Sequence, residues 1–257
     1  MMDFHATDAR MRELETARDG SIPNNAYILA RLDGRGFSRL TNDRFEKPFD
    51  VRFYRMMQET VRHMMTQSGC SIVFGFSQSD EMSLLMLPYS MDHGRKARKL
   101  LSLLAAEASA KFSLLLGEVA TFDCRLNLQY DAADVRDYFL WRSIDAGRNA
   151  LNAYCYWLLR REGMEAQAAA DFLRPLDAQA RRQLLEKRGI ARHMLPAWQL
   201  SGTCYYWQEL ERSGFNPHTG ETTRYTRRVL SENEELSAGL SALDAALSGH
   251  SFLTAQS

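Results

Sequence analysis

A chain of 257 residues is long enough for one large domain or two small ones around a substantial core, which excludes a peptide or a bare linker. Hydrophobic residues make up 45% and charged residues 25%, with only 15 Gly and 6 Pro, so neither a disordered nor a fibrous chain fits. Lys+Arg and Asp+Glu balance at 32 each, which at face value argues against a nucleic-acid binder with its usual basic excess.

The sequence has no apolar run approaching the roughly 20 residues of a membrane span, and Met1-Met2-Asp3-Phe4-His5 lacks a basic segment followed by an apolar one. A soluble cytoplasmic protein is the expectation. Cys70, Cys124, Cys155 and Cys204 lie far apart in apolar or mixed stretches and read as reduced, buried or half-buried thiols. The six histidines are equally scattered, with no zinc-ligand spacing on one helix.

Residues 27–32 form a β-prone apolar run entering the glycine-punctuated turn Asp33-Gly34-Arg35-Gly36-Phe37. Phe49, Phe53, Met56, Met57, Thr60 and Met64 recur at steps of three and four, predicting an amphipathic helix over 50–67 closed by Gly69. Strands follow at 71–76 and 82–87, and a link of only five residues, 77–81, makes an antiparallel hairpin natural. Residues 94–116 read as a long helix, basic at its start. Phe122, Cys124, Leu126, Leu128 and Tyr130 alternate with polar residues, the period of a half-buried strand.

The order β-α-β-β-α-β is that of the split-βαβ, ferredoxin-like unit, an α+β fold with two helices on one face of an antiparallel sheet. Its other face is expected to stay open for a site. After Ala132 the pattern predicts several short helices, including 166–173 and 177–187. Strands at 203–207 and 222–229 form a C-terminal β-hairpin through the turn-rich 216–220. The aromatic group Tyr205, Tyr206, Trp207 reads as strand and core rather than a base-stacking platform. The tail after Ser231 is read either as a terminal helix or as partly disordered. No linker separates independent domains: residues 1–131 form the core, and 132–257 an extension packed on it as one continuous globule.

Asp33 follows the first strand, and Asp80 and Glu81 lie in the hairpin link. If the first and third strands are neighbours at the sheet centre, these three carboxylates converge. Crowded carboxylates repel unless a cation compensates them, and hard oxygen ligands suit Mg²⁺. Two Mg²⁺ ions could activate a hydroxyl nucleophile and brace a triphosphate leaving group. Arg35, Lys47, Ser79, Arg95, Lys96 and Lys99 are candidate phosphate partners, with backbone N–H groups from Gly34-Arg35-Gly36. Gly34-Arg35-Gly36 is too short for a Walker loop, and Gly75-Phe76-Ser77-Gln78-Ser79 matches a nucleophile elbow only loosely.

Several motifs in register carry more than a physical pattern. Arg31-Leu32-Asp33-Gly34-Arg35-Gly36-Phe37, Phe45-Glu46-Lys47-Pro48, Gly75-Phe76-Ser77-Gln78-Ser79-Asp80-Glu81, Phe122-Asp123-Cys124-Arg125 and residues 138–145 together resemble the tRNA-histidine guanylyltransferase family, over about residues 25–229. The resemblance implies a polymerase-palm domain and a transferase that adds nucleotides to the 5′ end of tRNA. A 5′-monophosphate is activated with ATP or GTP, then attacked by the 3′-hydroxyl of an incoming GTP, with release of pyrophosphate. By motif, Asp33 and Asp80 ligate both Mg²⁺ ions, the Gly34 carbonyl ligates one, and Glu81 supports the site. Gly34, Arg35, Gly36, Phe37, Lys47, Ser79, Arg95 and Lys99 are nucleotide-binding candidates, and Arg31, Arg125, Arg142 and Asn149 weaker candidates for tRNA contact. A homotetramer is implied.

Eukaryotic members that recognise the histidine anticodon have His-Ile-Asn-Asn-Leu-Tyr-Asn where residues 147–153 here read Gly-Arg-Asn-Ala-Leu-Asn-Ala; only Asn149 and Leu151 persist. That departure is similar to the bacterial and archaeal guanylyltransferase-like branch, which restores 5′-truncated tRNAs by template pairing. The competing readings are a cyclase-like palm enzyme and a non-catalytic tRNA-binding protein; three crowded acids argue against the latter. Residues 231–257 hold four acids and no Lys or Arg, so residues 1–230 carry 32 − 28 = +4. Basic residues cluster at 92–99, 181–192 and 222–230. Phosphate senses local charge within a Debye length of roughly 8 Å, so neutrality is compatible with binding through patches.

Overall fold

The structure, a computed structural model, describes residues 4–17, 19–215 and 222–254. The expected turn at 216–220 lies outside the described residues. Helix α1 (Phe4–Thr16), which the sequence pattern did not announce, buries none of its residues. Then come β1 (Tyr27–Gly34), the one-turn α2 (Phe37–Leu40), α3 (Val51–Gln67), β2 (Ile72–Gln78), β3 (Glu81–Met86), α4 (Ala97–Leu116) and β4 (Phe122–Gln129). The chain continues through α5 (Ala132–Arg161), α6 (Ala166–Leu173), α7 (Ala178–Glu186), α8 (Ala197–Ser201), β5 (Thr203–Phe215), β6 (Thr222–Asn233) and α9 (Leu236–Thr254).

The six strands form one antiparallel sheet in the order β4-β1-β3-β2-β5-β6. The first and third strands are therefore neighbours, as the β-α-β-β-α-β reading requires, and Asp33 lies opposite Glu81. Both strands run further than the apolar pattern shows. Asp33 and Gly34 belong to β1 rather than following it, and the hairpin link shrinks to Ser79-Asp80. Ladder hydrogen bonds with both neighbours hold polar residues extended there.

Alternation along β1 feeds two cores. Ile28, Ala30 and Leu32 face α3 and α4, packing with Val61, Met64, Leu104 and Phe112. α3 starts where the sequence places it because Asp50 caps it: its carboxylate accepts the N–H of Arg52 at 2.7 Å and of Glu46 at 2.8 Å. On the opposite face, Leu29, Phe74, Phe76 and Leu85 pack against Val135, Tyr138 and Phe139 of α5 and Leu240, Leu243 and Leu247 of α9. The face expected to stay open is thus covered, because its Leu and Phe residues need an apolar partner.

Two further expectations change. The several short helices begin with one continuous 30-residue helix, α5, capped by Asp131, whose carboxylate accepts the Ala133 N–H at 2.7 Å. Residues 145–152 continue that helix for two turns, with Ala146 and Ala150 buried and Arg148, Asn149 and Asn152 exposed. The tail resolves as a helix through Thr254, with Leu240, Leu243 and Leu247 buried at steps of three and four. The C-terminal strands are longer than expected, and β5 joins the main sheet through Thr203 to Tyr206 on β2. Tyr205 and Tyr206 are buried there as core, and the Trp207 indole donates to the Ile72 carbonyl at 3.0 Å. The cysteines are free: Cys155 and Cys204 are buried, Cys70 and Cys124 half-buried.

Candidate functional site

The site forms where β1 ends and the β2–β3 hairpin turns. The Gly34 N–H donates to the Asp80 carbonyl at 3.1 Å, tying the end of β1 to the turn, and the Arg35 N–H donates to the Thr121 carbonyl at 2.8 Å. A side chain at Gly34 has no room: a Cβ there would lie 2.5 Å from the Phe37 ring. Gly36 caps α2 from the left-handed region, at φ 72°. Ser79 adopts the same region without being glycine, at φ 54°, in the turn that carries Asp80.

Asp33 and Asp80 both line a cavity of about 250 Å³. It adjoins a second of about 310 Å³ lined by Thr41, Lys47, Tyr54, Trp157 and Trp198, and the two share Phe49, Ser79 and Asp80. Burial raises the Asp80 pKa above the ordinary carboxylate range and the Asp33 charge adds to the rise, while the Ser79 hydroxyl and Lys47 oppose it. Burial also pushes the Lys47 ammonium down, with the Asp80 carboxylate pulling back. The Lys47 ammonium donates to Thr41 Oγ1 at 2.6 Å and lies 5.8 Å from the Trp157 ring centroid.

Glu81 lines the same cavity and stands opposite Asp33 across the strands, but arginines claim its carboxylate. Arg142 holds it in a fork, Nε and Nη2 donating to the two carboxylate oxygens at 2.7 Å each, and Arg31 Nε lies 3.0 Å from Oε2. Burial raises the Glu81 pKa and these guanidiniums draw it back. The three carboxylates converge on one cavity as expected, but Arg142 of α5 and Arg31 of β1 neutralise the third, leaving Asp33 and Asp80 as the acids without an arginine partner among the described residues. Among the described residues, no group of three or more His, Cys, Asp or Glu side chains is placed to hold a metal ion. The donor chemistry of Asp33 and Asp80 nevertheless suits a hard divalent cation: two carboxylates in a cleft, one desolvated, with the nearby arginine fork spent on Glu81.

The other sequence candidates divide. Arg35 and Gly36 are exposed at the turn beside the site, while Phe37 is 2% exposed and packs its ring on Phe112 and Phe122. Asn149 lines the cleft from α5. Arg125 is exposed on β4, opposite Arg31, and its Nε lies 3.6 Å from the Asp123 carboxylate. Arg31 and Arg142 are committed to Glu81 and are not free for a phosphate. Arg95, Lys96 and Lys99 do not reach the site. Arg95 is buried at the other end of β1, donating to the carbonyls of Ile22, Pro23, Ala26 and Ser90. Seven residues of extended strand from Ala26 to Asp33 put that end about 23 Å away. Lys96 lies 3.9 Å from the Asp19 carboxylate, and Lys99 sits on the first turn of α4 beside it.

Sequence reasoning missed the aromatic wall. Trp198 of α8 stacks on Tyr54 with centroids 4.2 Å apart, and its edge meets Phe49 at 5.9 Å. Tyr54 also bonds Thr203 Oγ1 at 2.9 Å and Glu234 at 3.1 Å. Burial raises its pKa. The four-residue step Phe45, Phe49, Phe53 was the visible signal for one side of this wall; its partners are over a hundred residues away in sequence.

Comparison with known proteins adds an independent line. The family model described as tRNAHis guanylyltransferase matches residues 8–131, and the one described as Thg1 C terminal domain matches residues 133–240. tRNA(His) guanylyltransferase 1 of Arabidopsis thaliana is 26% identical over 87% of this chain, which spans only 41% of that relative's length. The probable tRNA(His) guanylyltransferase of Drosophila melanogaster is 30% identical over 72% of this chain and 68% of its own. Among solved structures, a bacterial tRNA(His) guanylyltransferase (Thg1)-like protein in complex with ATP superposes with a TM-score of 0.69 at 25% identity, covering 78% of this chain and 88% of that one.

Proposed function

Because this chain belongs to the tRNAHis guanylyltransferase family, we propose that it is an Mg²⁺-dependent 3′-to-5′ nucleotidyltransferase acting on the 5′ end of tRNA. The tRNA 5′-monophosphate attacks the α-phosphate of ATP or GTP, releasing pyrophosphate, and the 3′-hydroxyl of an incoming nucleoside triphosphate then attacks the activated 5′-phosphate, releasing AMP or GMP. The observation that carries this reading is the Asp33–Asp80 pair at the ends of adjoining strands, opening on a cleft that also holds Lys47 and Ser79. The polymerase-palm comparison rests on that same placement within the β4-β1-β3-β2 part of the sheet.

Asp33, Asp80 and the Gly34 carbonyl would hold two Mg²⁺ ions. When bound, Mg²⁺ supplies charge stabilisation for the triphosphate and acidifies the attacking hydroxyl. The chain's own groups do the rest. Lys47 offers a positive charge to the triphosphate from inside the cleft, where desolvation strengthens it. Ser79 and the exposed Arg35 and Gly36 offer a hydroxyl and backbone N–H donors to phosphate oxygens. Phe49, Trp157 and Trp198 give an aromatic wall for a base and exclude water from one side. Glu81, through Arg142, acts by positioning: it fixes α5 over the sheet beside the two acids.

The substrate reading covers restoration of 5′-truncated tRNA and guanylate addition to histidine tRNA, with assembly as a homotetramer in the cytoplasm. Asn149 and Ala153, within the stretch that departs from the anticodon-reading members, line the cleft. The test is extension of labelled tRNA at its 5′ end with Mg²⁺ and nucleoside triphosphates, comparing full-length histidine tRNA with truncated transcripts. Asp80→Ala is expected to abolish extension while leaving the fold intact; equal activity in that variant overturns the two-acid assignment.

A further inference from the structure

On the other flank of α5 from the cleft lies a separate cavity of about 360 Å³, within the roughly 300–1,000 Å³ typical of small-molecule sites. Helix α5 is the partition: Arg142, Ala146, Asn149 and Ala153 face the cleft, whereas Ser143, Gly147, Leu151 and Tyr154 face this cavity. Helix α8 divides the two in the same way, with Trp198 on the cleft and Leu200 and Ser201 on the cavity.

Its chemistry differs from that of the cleft. The floor is aliphatic, from Leu151, Leu185, Ile190, Leu195, Leu200 and Leu236, and Tyr154 is its one ring. The inner polar groups already have partners: the Ser143 hydroxyl donates to the Ser201 carbonyl at 3.1 Å, and the Tyr154 hydroxyl donates to Gln199. A nucleobase would find neither an aromatic stacking wall nor a free hydrogen-bonding edge. Three guanidiniums, of Arg148, Arg182 and Arg192, line the same cavity against one acid, Glu186. Arg148 Nη1 is 3.4 Å from the Asp145 carboxylate; Arg182 and Arg192 make no side-chain hydrogen bond or ion pair with any described residue.

We infer that this cavity binds an amphipathic anion, an aliphatic body inside it and a phosphate or carboxylate head on Arg182 and Arg192. The aliphatic floor takes the body because it removes apolar surface from water, and the unpaired guanidiniums match the head in charge and geometry. The inference is independent of the nucleotidyl-transfer reading, since no cleft residue takes part.

The test is titration calorimetry of the full chain with decyl phosphate and, as the second head group, decanoate, both below their aggregation concentrations. Saturable binding at one molecule per chain is expected. Arg182→Ala with Arg192→Ala should weaken it at least tenfold with an unchanged melting temperature, and Ile190→Trp should abolish it by filling the cavity. Saturating ATP should not displace either probe. Tighter binding of one probe identifies the head group. Absence of saturable binding to both probes, equal binding by the arginine variant, or displacement by ATP overturns the inference; the arginine variant alone decides it if Ile190→Trp does not fold.

Discussion

Glu81 shows how one contact decides a residue's role. By sequence it is the third acid of a metal cluster; in the structure the Arg142 fork claims it, and both side chains are largely buried, at 14% and 8% exposure. Removing Arg142 takes away both fork hydrogen bonds and leaves the buried Glu81 carboxylate only its Arg31 contact, so Arg142→Ala should lower the unfolding free energy by about 2–3 kcal/mol, read from urea denaturation. The double variant Glu81→Leu with Arg142→Leu should recover much of that loss. Asp50 gives a second residue-scale prediction. The Arg52 guanidinium, with two backbone N–H donors, holds its carboxyl well below the ordinary range. A depressed folded-state pKa stabilises the fold above the ordinary carboxylate pKa near 3.9, and that stability is lost as pH falls toward the folded value. Asp50→Ala should therefore cost about 1–2 kcal/mol at neutral pH and make acid unfolding less steep, as followed by circular dichroism across pH.

At the scale of elements, α5 and α9 decide where the site can be. Both cover the sheet face that a bare split-βαβ unit would leave open, so the chemistry is displaced to the sheet end. Leu243 of α9 is fully buried against that face. Leu243→Ala should cost about 2–5 kcal/mol in thermal or urea unfolding, whereas Leu236→Ala, half-buried at the start of the helix, should cost less. α3 and β1 were legible because their apolar residues recur at steps of three and four or run unbroken. α5 was legible only in pieces. Between Ile144 and Leu151 its buried positions are Ala146 and Ala150, too small to mark an apolar stripe, and the residues between them are Gly147 and the exposed Arg148 and Asn149, so no strong helical pattern runs through the stretch.

For the whole molecule, neutrality hides an uneven distribution. The basic stretch 92–99 lies at the sheet end opposite the two acids, and Arg95 within it is spent on backbone carbonyls. The cluster at 181–192 runs from α7 into the segment beyond it, and that at 222–230 lies on β6. If tRNA binds through such patches, its affinity should fall steeply with salt, measured by filter binding between about 50 and 200 mM. Chelation with EDTA should abolish 5′ addition and Mg²⁺ restore it, whereas tRNA binding should survive.

The sequence by itself determined the chain order of β1 to β4 with their two helices, the extent of α3, the free state of the cysteines and the placing of Asp33 and Asp80 at the ends of their strands. Each depends on local periodicity, turn chemistry or a short motif. Tertiary structure alone decided that Glu81 pairs with Arg142, that Arg95 and Lys99 lie a sheet length away, and that Tyr54 and Trp198 wall the cleft. Those outcomes depend on which segments meet across 60 to 150 positions of chain, and contact at that separation is set by packing two apolar sheet faces rather than by any local preference.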